Sequence, residues 1–191
     1  MPEPATRPAL QQRVAAAILD GAAELFATGG TQASMNEVAE AAGVARATVY
    51  RYFPNREALL DELAQTAVRD VEARLASARI DAVAPDEGVA RAVRALVDVG
   101  NLFVVLARER QRSGTSQFEH GLVEPLRRLI ERGQASGDVR DDITGARLTE
   151  SLIGLIVGML TSTPPLGRED MTATVTGLFL DGARARGPQR R

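Results

Sequence analysis

The chain contains no cysteine, which excludes disulfide bridges, thiolate catalysis and cysteine-based metal sites. Its single histidine, His120, has no companion ligands at metal-binding spacing. Neither a GxSxG elbow nor a glycine loop shaped to cradle phosphates occurs. The adjacent carboxylates Asp141-Asp142 and Glu169-Asp170 fall where helices are expected to begin, and the helix dipole already accounts for acids there. No catalytic residue, metal ligand or cofactor is expected, and the chain does not read as an enzyme. Lysine is absent too. All 23 basic residues are arginine, a uniformity that looks like compositional bias rather than selection at one site. The N-terminal MPEPATRPAL lacks the apolar core of a signal peptide, and the longest apolar run, Leu152 to Leu160, is too short to span a bilayer. These absences predict a cytoplasmic protein without a membrane segment.

What is present points to helices. The 191 residues are 45% hydrophobic but only 4% aromatic, with abundant alanine, enough for one or two helical domains with a core. The net charge of −2 gives no sign of a nucleic-acid partner, but DNA affinity depends on where the arginines stand. From Ala41 to Arg56 there are three arginines and no acid.

That cationic run lies within Ser34 to Glu57, SMNEVAEAAGVARATVYRYFPNRE, which reads as helix, tight turn, helix and the start of a third. Ser34 and Glu37 form a capping box. Met35, Val38 and Ala39 give the first helix an apolar side, and Gly43 suits the left-handed position that ends it. The second helix, roughly Ala45 to Phe53, turns Val49 and Phe53 inward at i, i+4 spacing. Its other face carries Arg46, Ala47, Thr48, Tyr50, Arg51 and Tyr52. Such a face suits a DNA major groove, where arginine donates two hydrogen bonds to guanine and hydroxyls donate to phosphates. It is also compatible with a merely solvated helical hairpin.

The run AAGVARATVYRYFPNREALL, preceded by Ser34-Met35-Asn36-Glu37-Val38-Ala39, closely resembles the N-terminal DNA-binding domain of the TetR family of bacterial transcriptional regulators. The resemblance covers about Val14 to Leu60 and holds in both order and spacing. It includes Leu25-Phe26-Ala27-Thr28-Gly29 ending the leading helix, Val38-Ala39, Gly43-Val44, Thr48-Val49-Tyr50, Tyr52-Phe53 and Arg56-Glu57. Two positions depart from it. Gly30 stands where the family often has an aromatic residue, and Ala45 where it often has a capping serine. The first loosens a packing contact and the second weakens a cap; neither removes an expected DNA contact. The resemblance implies an all-α fold of about nine helices. A three-helix helix-turn-helix domain would be followed by a helical ligand-binding and dimerisation domain.

On this frame, residues 1–8 form a disordered arm, read first as simply solvated, although Arg7, with Arg13 just beyond, is a candidate for reaching a phosphate or a minor groove. Residues 9–55 form the DNA-binding domain, 56–185 the larger domain, and 186–191 a basic disordered tail. The first helix, about Ala9 to Thr28, carries an apolar stripe through Leu10, Val14, Ala17, Ile18, Ala22, Leu25 and Phe26. A long helix capped by Asn55 runs to Arg79. A further helix starts at Pro85 and continues through Val89, Leu96, Gly100 and Phe103 to about Gln111. Pro125 must kink or split the next, Ser116 to Ala135. The Thr144 to Ser162 helix is apolar nearly all round, which calls for burial on every side and hence for a second subunit. Pairing of the last two helices with their copies is what the resemblance implies.

The expected function is a sequence-specific DNA-binding transcriptional regulator, a ligand-responsive repressor binding a pseudo-palindromic operator as a homodimer. Arg46, Thr48 and Arg51 are candidates for base edges, and Ser34, Tyr50 and Arg56 for phosphates; Ala47 and Tyr52 complete the DNA-facing set. A small-molecule effector would sit among Leu96, Gly100, Asn101, Phe103, Val104, Gln117, Phe118 and His120. The dimer interface is expected at Leu152, Ile156, Met159, Leu160, Val175, Leu178 and Phe179. Two alternatives stay open: an activator, or a ligand-binding or interaction module whose helix-turn-helix is unused.

Overall fold

A computed structural model describes residues 7–29, 33–113 and 119–185, with side chains for 11–27, 33–108 and 119–185. Nine α-helices lie among these residues: α1 (Arg7–Gly29), α2 (Met35–Ala41), α3 (Arg46–Tyr52), α4 (Arg56–Ala78), α5 (Pro85–Val99), α6 (Asn101–Ser113), α7 (Glu124–Ser136), α8 (Gly145–Leu160) and α9 (Arg168–Ala183). A 3-10 turn, Ile80–Ala82, follows α4, and a π turn, Glu119–Val123, precedes α7. Among the described residues there is no sheet, only one antiparallel bridge between Val139 and Arg184. The fold is all-α.

The chain divides into two compact units, one ending at Thr66 and one beginning at Ala67. The division falls inside α4, later than the loop before Arg56 where the sequence suggests a boundary.

In the first unit α1 packs against α2, and α2 against α3. Ile18, Ala22 and Phe26 from α1, Val38 from α2, Val49 from α3, and Leu59 and Leu63 from α4 are buried. Of the stripe expected on α1, Val14 and Leu25 are half-buried, Ala17 is exposed, and Leu10 lies outside the described side chains. Asn55 caps α4 as expected, accepting from the Ala58 amide at 2.8 Å.

The second unit is a bundle around α5, which packs against α9, α7, α6 and α8. Its core joins Leu96 and Phe103 to Leu122, Leu126, Leu129 and Leu152. Arg132 holds the connector after α4, donating to the carbonyls of Ile80, Asp81 and Val83 at 2.9, 2.6 and 3.0 Å. Arg140 pairs with Asp142 and donates to the Gly182 carbonyl, tying the loop before α8 to the end of α9.

One expectation is corrected. The helix anticipated from Pro85 to Gln111 is broken at Gly100, whose φ of 65° and ψ of −130° suit glycine alone. Asn101 therefore opens a new helix. Within one chain the Thr144 to Ser162 helix is buried along one side. Leu148, Leu152, Ile153 and Ile156 face the core, while Ser151, Gly154 and Gly158 are exposed. Pro125 behaves as expected: it occupies the first turn of α7, directly after the π turn, where its missing N–H costs nothing.

Candidate nucleic-acid interface

The reading element is built by caps and a turn. The Ser34 amide donates to the Glu37 carboxylate at 2.8 Å, the Ser34 hydroxyl donates to it at 2.7 Å, and the Glu37 amide donates to the Ser34 hydroxyl at 3.3 Å. These bonds from Ser34, the backbone one foremost, hold the Glu37 carboxyl below the ordinary carboxylate value. Gly43 enters the left-handed region at φ 64°, and the Val44 amide donates to the Ala39 carbonyl at 3.0 Å, closing α2. Helix α3 then starts at Ala45, an N-cap with no side-chain hydrogen bond.

Val49 and Phe53 anchor α3 inward. Arg46, Ala47, Tyr50 and Arg51 are exposed, and Thr48 and Tyr52 half-buried, so six of the eight anticipated residues lie on one short helix. The arginines are stacked rather than splayed. The Arg46 guanidinium lies 5.3 Å from the centre of the Tyr50 ring, and Arg51 lies 5.3 Å from that of Tyr52. An arginine over an aromatic face stays cationic and is partly ordered before any partner arrives.

Ser34 and Arg56 are placed differently from the other six. The Ser34 hydroxyl is already engaged with Glu37, so it must leave the capping box to reach a phosphate. Arg56 donates through Nε to the Ala33 carbonyl at 3.2 Å and lies 5.5 Å from the centre of the Phe26 ring. It clamps the start of α4 onto α1 and the entry to α2. One further position escaped sequence reasoning. A Cβ at Gly21 would lie 2.9–3.1 Å from backbone atoms of Ala41 and Ala42, so only glycine lets α1 and α2 approach this closely. The small-residue run Gly21-Ala22-Ala23 was the available signal.

The effector region comes together only in part. Leu96, Phe103 and Val104 are buried in the core and Gly100 is half-buried. Asn101 and His120 are exposed, because Asn101 stands past the Gly100 break and His120 on the π turn. Gln117 and Phe118 lie outside the described residues. Hollows open on this unit at several places, one of about 590 Å³ including Asp86, Val139 and Arg184. Another of about 540 Å³ lies between α4 and α5 and includes Arg74, Arg91, Arg94 and Asp98; one of about 220 Å³ includes His120, Glu72 and Ile80.

The interface set also separates. Leu152, Ile156, Val175 and Phe179 are buried in the chain's own core and are not available to a partner. Met159 and Leu160 are half-buried, and Leu178 is 59% exposed. Among the described residues no helix is long and apolar enough to cross a membrane, and no group of three or more His, Cys, Asp or Glu could hold a metal ion.

Comparison with known proteins agrees with this geometry. Residues 18–63 match the model of the tetR family of bacterial regulatory proteins. The chain is 27% identical over 176 residues to the uncharacterized HTH-type transcriptional regulator YhgD of Bacillus subtilis, covering 85% of this chain and 90% of that protein. It is 34% identical over 114 residues to the HTH-type transcriptional repressor LfrR of Mycolicibacterium smegmatis, 57% of each. The LfrR structure in complex with proflavine superposes with a TM-score of 0.70 at 21% identity, covering 91% of this chain and 97% of that one. The structure of AibR with isovaleryl coenzyme A and operator DNA gives 0.66 at 19% identity, covering 86% and 97%. The family match falls on the capped, glycine-turned helix pair that presents the arginines, and the YhgD likeness extends over most of the chain. The chain carries at residues 18–63 the DNA-binding domain of the tetR family of bacterial regulatory proteins and is a DNA-binding transcriptional regulator.

Proposed function

We propose that the protein is a ligand-responsive repressor that binds a pseudo-palindromic operator as a homodimer. The observation that carries the DNA-reading part is the exposed face of α3, cationic and free of acids, on a helix pinned from beneath by Val49 and Phe53. Two copies of α3 in successive major grooves on one side of the duplex require half-sites about 34–36 Å apart or somewhat more.

Repression and ligand response are supported by likeness. LfrR is named a repressor and has been seen with proflavine, and AibR has been seen with both isovaleryl coenzyme A and operator DNA. The effector of this chain would bind in the second unit. Helix α4 is continuous from Arg56 to Ala78 and contributes to both units, which suits it to carry a displacement. By linkage, an effector that lowers DNA affinity must bind the DNA-bound form more weakly by the same factor.

Dimerisation would use α8 and α9, which pack on each other and leave Gly154, Gly158, Gly177 and Leu178 facing open space or solvent. The test is selection of purified full-length protein from a randomised duplex pool at near-physiological salt. Enrichment of a palindrome whose affinity falls steeply with salt is expected. A folded dimer that enriches nothing, with or without cell extract, refutes the proposal.

A further inference from the structure

Resting on that reading, we infer that the two recognition arginines do different jobs: Arg51, with Ala47 beside it, sets sequence specificity, while Arg46 and Tyr50 form a stacked unit that grips one phosphate strand. The exposed helix is too short to present all six candidate side chains to base edges, and its own geometry decides among them. Val49 and Phe53, both buried, define the inward direction of α3. Counting about 100° per residue, Ala47 and Arg51 then point within about 40° of directly outward. Thr48 lies about 60° to one side, Tyr50 and Tyr52 about 100° to opposite sides, and Arg46 about 140° away from outward.

Burial agrees at the apex and on one flank, while Arg46, the first residue of α3, is exposed despite its angle. Ala47 and Arg51 are exposed, whereas Thr48 and Tyr52, on one flank, are half-buried. On the other flank Arg46 and Tyr50 are i, i+4 neighbours, with the Arg46 guanidinium 5.3 Å from the centre of the Tyr50 ring. An element seated in the major groove meets base edges with its apex and the two phosphate strands with its flanks. Arg46 at the apex would have to leave Tyr50 and cross over its own helix. At the flank it stays stacked, and its remaining N–H donors meet a phosphate beside the Tyr50 hydroxyl. Thr48 and Tyr52 face the opposite strand, and the Arg51 guanidinium lies over the Tyr52 ring, 5.3 Å from its centre.

The apex therefore carries one fork of donors and one methyl group. The fork of Arg51 matches O6 and N7 of guanine, and the Ala47 methyl matches the C5-methyl of thymine. The two residues are one helical turn apart, about 6 Å along the axis, so the guanine and the thymine should lie about two base steps apart in each half-site.

The experiment is selection from a randomised duplex pool with wild-type, Arg51→Ala, Ala47→Gly and Arg46→Ala proteins, each first checked for helical content and oligomeric state. Affinities for the enriched site and for single-base variants follow, across a salt series. Arg51→Ala should lose preference at one guanine per half-site and bind the site about 10- to 100-fold more weakly. Ala47→Gly should lose only the thymine preference. Arg46→Ala should weaken all sequences in parallel, leave the preferred bases unchanged and reduce the salt slope by about one for each phosphate that Arg46 neutralises. An Arg46→Ala protein with altered base preference, or an Arg51→Ala protein with unaltered preference, overturns this division of labour while leaving DNA reading intact. A wild-type protein that enriches no sequence overturns both.

Discussion

At the scale of single residues, the recognition helix is secured by what precedes it more than by its own start. Ala45 occupies the N-cap of α3 with φ −67° and ψ 143°, the extended geometry a capping serine uses, yet it offers no oxygen. Ala45→Ser should therefore stabilise the first unit by about 0.5–1 kcal/mol, read as a raised midpoint in urea denaturation. The neighbouring cap behaves oppositely in acid. Hydrogen bonds from Ser34 lower the Glu37 carboxyl below its ordinary value. A carboxyl lowered on folding contributes stability above its unfolded value and loses that contribution as the pH falls through the folded one. The cap is thus at full strength at neutral pH and fails in acid. Glu37→Gln should flatten the acid limb of the unit's pH–stability curve, and an unchanged limb would show that the box is decorative. Both caps were legible in the sequence, because capping is local chemistry at fixed spacing. The Arg56 stack on Phe26 was not, because it joins residues thirty apart and needs the fold to bring them together.

At the scale of elements, two glycines with similar φ values have different meanings. Gly43, at φ 64°, ends α2 in ordinary left-handed geometry, and a Cβ there would meet nothing within 4 Å. Gly43→Ala should cost about 1 kcal/mol through backbone strain alone. Gly100 pairs φ 65° with ψ −130°, outside the region that even asparagine visits readily. Gly100→Ala should cost more, about 1–3 kcal/mol, and hydrogen exchange should rise first at the junction of α5 and α6. Equal costs at the two sites would mean the junction relaxes into the continuous helix that the sequence suggests. That suggestion failed for a physical reason. The apolar stripe passes through Gly100 without losing phase, since Leu96, Phe103 and Val104 all reach the core on either side of the break. Periodicity reports which face is buried, whereas the end of a helix is decided by one backbone angle.

At the scale of the whole molecule, the same limit governs the dimer surface. An apolar residue on α8 or α9 serves either the chain's own core or a partner, and both demands write the same letters into the sequence. The structure separates them. Phe179 is 4% exposed and Leu178, its neighbour on α9, is 59% exposed. A charge at Phe179 is forced into the core, so Phe179→Glu should unfold the second unit or leave the protein insoluble. A charge at Leu178 remains in water in the isolated subunit and is desolvated only when a second copy covers it. Leu178→Glu should accordingly retain helical content and elute as a monomer in size-exclusion chromatography with light scattering. The consequence for DNA is separable as well. A monomer keeps α3 and its arginines, so a single half-site should be bound about as well as by the wild-type reading unit. The palindrome should lose the gain of linked binding, commonly about 10²–10⁴-fold. A Leu178→Glu protein that stays dimeric and binds the palindrome at full strength would place the interface elsewhere than on this face of α9.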